Sequence, residues 1–157
     1  MRRKDREITD ISAIDTFLTE EKILRIAFYD DGDIYIVPVN YGFRRESGKC
    51  VFYFHGAKAG RKYELAGKSP YVGFETDGRF KMIEGGSACG YSANFQSVTG
   101  TGRLSLIEDT EAKRSALDCL MNHQAGEKNW EYTEKMLGAV AVFRLEAEKL
   151  SCKAKEY

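Results

Sequence analysis

The sequence contains few histidines, tryptophans, prolines and cysteines. Its 157 residues include two histidines, one tryptophan, two prolines and four cysteines. A zinc site needs clustered Cys and His ligands, but the cysteines form no C-x-x-C pair, and His55 and His123 are too few and too far apart. We therefore expect the cysteines to be reduced thiols of a cytoplasmic protein.

The chain also lacks an excess of charge of either sign. Lys plus Arg and Asp plus Glu both number 24, so no overall field attracts nucleic acid or an acidic membrane. No apolar run is long enough to span a bilayer, and the opening MRRKDRE is not followed by the apolar segment of a secretory signal. We expect one cytoplasmic domain over residues 1–157, with no nucleic-acid or membrane partner.

Strand patterns dominate the rest of the sequence. Residues 22–43 alternate between apolar and polar around Asp31-Gly32-Asp33, which predicts a β-hairpin. Pro38 lies in its second strand and cannot donate a ladder hydrogen bond, so it belongs at a sheet edge or at a bulge that offers its backbone to a ligand. Further strands are predicted over 51–54, 71–78, 95–106 and 138–153. Glycines at 100 and 102 predict a bend or a close approach to another backbone.

Helical periodicity is confined to short segments. Asp10 is expected to cap a first helix, and residues 108–123 form a second amphipathic helix. His123 lies at the carboxyl end of the second helix, where the dipole favours a cation, so we expect a structural role for it. The other predicted segments are a charged amino-terminal arm (2–7), a charged turn (44–49), an irregular lid-like loop with Cys89 (79–95), and a loop with a helical turn around Trp130 and Tyr132 (127–137).

These elements predict a mainly β fold. Six or seven strands with few helices favour a closed or nearly closed antiparallel barrel over a doubly wound sheet. No G-x-G-x-x-G follows the first strand, which disfavours a Rossmann dinucleotide site.

The segment VFYFHGAKAGRKYELAGKSP, residues 51–70, is the strongest candidate for a binding site. It predicts a buried strand, a turn carrying His55, Gly56, Ala57 and Gly60, and a helix that begins with Arg61 and Lys62 and ends before Pro70. Backbone N–H groups and the dipole at a helix start favour an anion such as phosphate. The alternative is an ordinary strand–turn–helix whose two cations are merely solvated.

Several segments, in this order, resemble the pyridoxamine 5′-phosphate oxidase-like split-barrel flavoproteins. They are RRKDREITD, VPVNYGF, FHGAKAGRK, a loop with a cysteine, SVTGTGR, LMNHQ and a closing SCK. Within that family the chain is most similar to the branch that contains the nitroimidazole-resistance (Nim) proteins. The resemblance covers essentially the whole chain.

The resemblance implies an FMN-binding split barrel that forms a homodimer, with two FMN molecules at the subunit interface. It implies that residues 37–41 present backbone to the isoalloxazine ring, that residues 54–57 pass beside it, that Arg61 and Lys62 hold the phosphate, and that Ser97 and Val98 border the flavin. The implied cofactor-binding residues are Val37, Pro38, Val39, Asn40, Tyr41, Phe54, His55, Gly56, Ala57, Arg61, Lys62, Ser97 and Val98.

His55 is the candidate catalytic residue. By the resemblance it faces the flavin and the substrate pocket, and its near-neutral pKa suits it to deliver protons. The structural alternative is a hydrogen-bonded histidine that fixes the turn. True pyridoxamine-phosphate oxidases carry extra basic and aromatic residues near the carboxyl terminus, whereas this chain ends AEKLSCKAKEY, which argues against that substrate.

The function expected from the resemblance is an FMN-dependent oxidoreductase that reduces a small, electron-poor, nitro-aromatic-like substrate. One alternative is a flavin-binding protein without turnover of its own. Another is a haem-binding split barrel in which His55 is the axial ligand. The fold is shared among FMN, deazaflavin and haem binders, so it does not by itself select the cofactor.

Overall fold

A computed structural model describes residues 3–155; Arg2 of the predicted arm, and residues 156–157 at the end of the predicted domain, lie outside this range. The arm begins with a 3-10 turn, Lys4–Arg6, and a second 3-10 turn spans Ala88–Gly90. The helices are α1 (Ile11–Glu20), α2 (Arg61–Lys68), α3 (Thr110–Ala125) and α4 (Glu134–Ala139). The strands are β1 (Glu7–Ile8), β2 (Ile23–Asp30), β3 (Asp33–Asn40), β4 (Gly42–Glu46), β5 (Lys49–Ala57), β6 (Tyr71–Ile83), β7 (Ser92–Ile107) and β8 (Val140–Lys155).

The strands form one antiparallel sheet in the order β3-β2-β6-β7-β8-β5-β4, and β1 pairs with β8. β3 also approaches β5 without pairing with it, so the sheet curls into a nearly closed barrel. The mainly β, antiparallel split-barrel prediction is therefore confirmed. The described residues contain eight strands rather than six or seven, because β1 and β4 were not predicted as separate strands.

The β2–β3 hairpin forms as the sequence predicts. Its register is continuous from the Ile23–Asn40 pair to the Asp30–Asp33 pair, and Asp31 and Gly32 turn the chain with φ of 49° and 101°. Two left-handed residues are what a two-residue hairpin turn requires. Pro38 lies opposite Arg25 on the edge strand without a register shift, so it occupies an edge and not a bulge.

Long-range pairing extends several strands beyond their local signals. Residues 42–46, predicted within a strand end and a charged turn, form β4 against β5, and the turn itself is Ser47-Gly48. Residues 55–57, predicted as a turn, continue β5 because they pair with residues 140–142 of β8. Much of the predicted 79–95 loop is likewise the end of β6 and the start of β7. The helical turn falls at α4 and not at Trp130 or Tyr132.

The core lies inside the curled sheet and beneath α1. Asp10 caps α1 by accepting hydrogen bonds from the Ser12 and Ala13 N–H groups. β5 is buried on both faces, because α3 and α4 cover its outer side with a second apolar cluster. The largest fully buried side chains of the main core are Phe17, Leu18, Leu24, Ile26, Phe28, Tyr41, Phe52, Phe54, Phe143 and Leu145.

Gly100 and Gly102 allow β7 and β8 to pass closely, as their positions predicted. A Cβ at Gly100 would lie 2.2 Å from the Lys149 carbonyl oxygen, and one at Gly102 would lie 2.2 Å from that of Glu146. The ladder shifts register between Thr101 and Gly102 at this point. Across residues 3–155, no helix combines the length and apolarity needed to cross a bilayer.

Candidate functional site

The candidate site begins where β5 ends and α2 starts. The strand's alternation directs Phe54 into the core and leaves His55 exposed, opposite Val142 of β8. Gly60 then turns the chain with φ of 90° and ψ of 172°, a left-handed conformation that suits glycine, and Arg61 is the first helical residue. The structure thus places two cations at the beginning of a helix, next to a strand that carries a histidine.

Lys62 is a half-buried cation, and none of the described carboxylates serves as its counter-ion. Its Nζ donates to the His55 carbonyl oxygen at 3.3 Å and lies 5.7 Å and 5.4 Å from the ring centroids of Phe54 and Phe143. Those two rings stack at 4.9 Å. Burial lowers the pKa of Lys62, and no carboxylate of residues 3–155 pairs with it. A desolvated cation with no carboxylate partner is a good receptor for an added anion.

Gly56 leaves the space that Lys62 occupies. A Cβ at this position would lie 2.7 Å from Nζ of Lys62 and 3.0 Å from its Cε. Any larger residue here would push the ammonium group away from the strand.

His55 is available for chemistry. Although His55 is exposed to solvent, surrounding atoms partly desolvate its ring, and this effect and the nearby charge of Lys62, in that order, lower the pKa of the imidazole. Among the described residues no hydrogen bond engages its ring, so the structure does not show the bond that a purely structural role would need. The proton-transfer role stays a prediction.

Arg61 points elsewhere. Its guanidinium bonds to Asp30 and Asp33 at 2.8 Å each, at the tip of the β2–β3 hairpin, and lies 4.8 Å from the Tyr35 ring centroid. The two adjacent cations of the predicted phosphate site therefore have different surroundings. Among residues 3–155, Arg61 has two carboxylate partners and Lys62 has none.

The predicted residues of β3 alternate between the two faces of the sheet. Val37 packs against the core and Val39 is buried, while Pro38 and Asn40 are exposed. Tyr41, immediately after the strand, is fully buried and donates to the Leu18 carbonyl oxygen at 2.7 Å. Only the exposed members of this set can present a surface to a ligand.

Ser97 and Val98 lie far from His55 along the sheet. Both residues have a partner on β8: Ser97 pairs with Lys153, and His55 pairs with Val142. These two partners are separated by about 36 Å along the extended strand. Pro38 of β3 lies in the same row across the sheet as Thr99 of β7. The row runs from Pro38 to its partner Arg25, then to Glu75, and then to Thr99. One chain therefore holds the predicted residues as two groups, with His55 and Lys62 in one and Ser97 in the other.

The outer face of the β2–β3 hairpin carries an apolar patch. Ile34 and Ile36 are each 59% exposed, and Tyr29 and Ile23 on the neighbouring strand are 58% and 48% exposed. All four share a face with Pro38, because paired residues of an antiparallel ladder point to the same side. We call Ile23, Tyr29, Ile34, Ile36 and Pro38 the hairpin patch.

The end of α3 holds a structural cluster that sequence analysis only partly predicted. The ring nitrogens of His123 lie 2.6 Å from the Tyr41 carbonyl oxygen and 3.0 Å from that of Thr19. Gln124 donates to the carbonyl oxygens of Lys22 and Tyr41, and its own side-chain oxygen accepts from Asn40. The structural role expected for His123 agrees with these contacts. The run LMNHQ was the sequence pattern that could have indicated the other members of this cluster.

The described residues form no cluster of His, Cys, Asp and Glu side chains suited to a metal ion. Cys50 and Cys152 are buried, Cys119 is partly buried and Cys89 is exposed. All four are free thiols.

Together, the curled antiparallel sheet and the lysine-bearing start of α2 define a split β-barrel of the kind found in flavin-binding proteins. The chain belongs to the pyridoxamine 5′-phosphate oxidase family, whose sequence profile, described as "Pyridoxamine 5'-phosphate oxidase", matches residues 10–154. No curated protein matches the chain.

Solved structures agree with this assignment. A "putative 5-nitroimidazole antibiotic resistance protein" from Bacteroides thetaiotaomicron is 25% identical, with a TM-score of 0.82 over 96% of this chain and 90% of the other. The flavocytochrome Anf3 from Azotobacter vinelandii is 23% identical, with a TM-score of 0.82 over 100% and 72%. An FAD and heme binding protein from Mycobacterium smegmatis is 20% identical, with a TM-score of 0.84 over 97% and 74%. At these identities the last two establish the shared fold only.

Proposed function

We propose that the protein is a homodimeric FMN-dependent oxidoreductase that reduces a small, electron-poor, nitro-aromatic-like substrate. The observation that carries the proposal is Lys62, a half-buried cation at the start of α2 and beside His55, which has no carboxylate partner in the part of the chain that the structure describes. Family membership and the likeness to a protein described as a nitroimidazole-resistance protein support the same conclusion.

The residues present fit FMN. Its single phosphate would restore a counter-ion to Lys62, and the N–H groups of the first turn of α2 add favourable dipoles. The exposed residues of β3 and β5 offer extended backbone of the kind that flat ring systems contact. When bound, the flavin supplies the two-electron redox chemistry, so no pair of catalytic side chains is required.

A second copy of the chain would complete the site. One chain separates the His55 group from the Ser97 group, so a flavin that touches both groups would have to lie between subunits. The hairpin patch provides apolar surface for that interface. The proposed flavin site therefore depends on dimerisation.

His55 is the proposed catalytic residue. It is exposed beside Lys62 and its ring is free of hydrogen bonds from the described residues, so it can exchange a proton with a substrate. The lowered pKa makes its protonated form a stronger acid than an ordinary imidazolium, and that form becomes more populated as the pH falls.

The first test is the visible spectrum of the purified protein, followed by titration of the flavin-free protein with FMN. Lys62→Met keeps the alkyl packing against Phe54 and Phe143 but removes the charge. We expect it to weaken FMN binding by about tenfold or more, because a charge-assisted phosphate contact is lost. The matched control is Lys68→Met, on the same helix but exposed, which should bind FMN like the wild type.

Each alternative gives a different result. A haem absorption band in place of flavin would favour the haem-binding alternative. If nitro-aromatic compounds reoxidise the reduced flavin no faster than dissolved oxygen does, and His55→Gln changes neither rate, the protein is a flavin carrier and not a reductase. Unchanged FMN affinity in Lys62→Met would contradict the proposed phosphate site.

A further inference from the structure

The tip of the β2–β3 hairpin extends beyond the rest of the sheet. β2 pairs with β6 only over residues 25–27, so residues 28–30 of β2 and the turn have β3 as their sole partner in the described ladders. An edge hairpin held on one side opens easily unless other contacts restrain it. Its position matters to the site because β3 carries the predicted flavin-contacting residues.

Phe28 anchors the start of this segment in the core, and Arg61 restrains the turn beyond it. Its Nε donates to Asp30 and its Nη2 to Asp33, so one guanidinium joins both strand ends of the hairpin to the first residue of α2. The same group lies over the Tyr35 ring, which in turn contacts Phe28 at 6.0 Å between centroids. Each of these contacts of Arg61 is with the hairpin.

The surroundings of Arg61 are unfavourable for a phosphate. An anion bound to the guanidinium where it stands would face the carboxylates of Asp30 and Asp33, and like charges this close repel. Moving Arg61 towards an anion would break both ion pairs. Lys62 meets no such competition.

We propose that Arg61 is a positioning residue that ties the β2–β3 hairpin to α2, and that of these two adjacent cations Lys62, and not Arg61, supplies side-chain charge to the bound anion. The flavin-binding part of this inference rests on the proposed function. It assigns the two neighbouring cations separate tasks, although the sequence predicts one shared phosphate site.

FMN and riboflavin separate the two tasks, because riboflavin lacks the phosphate. We expect Arg61→Met to weaken binding of both ligands by the same factor, about two- to fivefold, the range expected for partly exposed ion pairs. Asp30→Asn with Asp33→Asn should weaken both ligands similarly, and adding Arg61→Met should cause little further loss, since the residues act as one unit. Lys62→Met should weaken FMN but not riboflavin.

The opposite pattern would overturn the inference. If Arg61→Met weakens FMN by tenfold or more and leaves riboflavin unchanged, Arg61 is a phosphate ligand. Tighter FMN binding after removal of the two carboxylates would lead to the same conclusion.

Amide hydrogen exchange tests whether Arg61 holds the β2–β3 hairpin to α2, and this experiment needs no flavin. Exchange of backbone amides over residues 30–36 should accelerate in Arg61→Met and stay unchanged in Lys68→Met. Unchanged exchange in Arg61→Met would contradict the proposal that Arg61 holds the hairpin to α2. If the wild type binds neither FMN nor riboflavin, the proposed function fails, while hydrogen exchange still decides the role of Arg61.

Discussion

At the scale of single residues, Lys62 and His55 form an electrostatic pair through space. No described carboxylate pairs with the lysine, and its charge adds to desolvation of the ring in lowering the pKa of His55. The effect of the lysine on His55 depends on Gly56, which lets the ammonium group lie against the strand. An anion bound at Lys62 would offset its charge and so raise the pKa of His55.

This coupling can be measured by NMR titration of the two imidazole rings in the flavin-free protein. We expect His55 to titrate below the usual value of about 6.5. Lys62→Met should move its pKa upward, because a repelling positive charge is removed. His123 is the internal control, since its nearest cation is Lys22 and not Lys62. An unchanged His55 pKa in the variant would refute the coupling.

At this scale, the sequence predicts which residues belong to the candidate site better than it predicts which residues they contact. Gly56, His55 and Lys62 belong to one short segment, so their proximity could be predicted from it. The carboxylates that bind Arg61 lie 28 and 31 residues earlier in the sequence. Only the folded hairpin brings them to the start of α2, and no local pattern signals that contact.

At the scale of elements, the end of α3 fastens three parts of the chain together. His123 and Gln124 reach the carbonyl oxygens of Thr19, Lys22 and Tyr41, which belong to α1, the α1–β2 connection and the β3–β4 connection. Asn40, a predicted flavin contact, is held by the same cluster. The cluster therefore fixes one end of β3, as Arg61 is proposed to fix the other.

Loss of the hydrogen bonds made by the end of α3 should destabilise the fold. We expect His123→Ala to lower the free energy of unfolding by about 1–3 kcal/mol, because the carbonyl oxygen that accepts from the imidazole N–H loses this donor and the packed ring is removed. Urea denaturation would measure the change. The same substitution at His55, an exposed ring without hydrogen bonds from the described residues, should alter stability little. Equal losses at both positions would contradict a structural role specific to His123.

Elements with strong local signals were predicted well, and those that depend on distant pairing were not. The Asp-Gly turn, the Asp10 cap and the start of α2 at Arg61 are encoded by neighbouring residues. β4 and the outer parts of β6 and β7 contain charges and glycines that resemble loops. They become strands because a partner strand satisfies their backbone groups.

At the scale of the whole molecule, the hairpin patch is the surface that the proposed dimer would cover. We expect the double variant Ile34→Lys, Ile36→Lys to dissociate into monomers and to lose FMN, because charge would be buried at an apolar interface. Sedimentation over a range of concentrations would measure this. Ile11→Lys, at an apolar position that is 57% exposed on α1, is the matched control and should leave the mass unchanged. A monomeric wild type would contradict the proposed assembly.

The position of β8 in the sheet also bears on how the protein is made. β8 lies between β7 and β5 and pairs with both, yet both precede it in the chain. During translation β5 and β7 leave the ribosome while their shared partner has not been synthesised, so their ladder edges stay open. Gly56 and Ala57 acquire their strand partners only when Ala141 and Val140 emerge. The nascent chain therefore depends on late, long-range pairing, which favours slow folding and leaves open strand edges exposed to aggregation in the meantime.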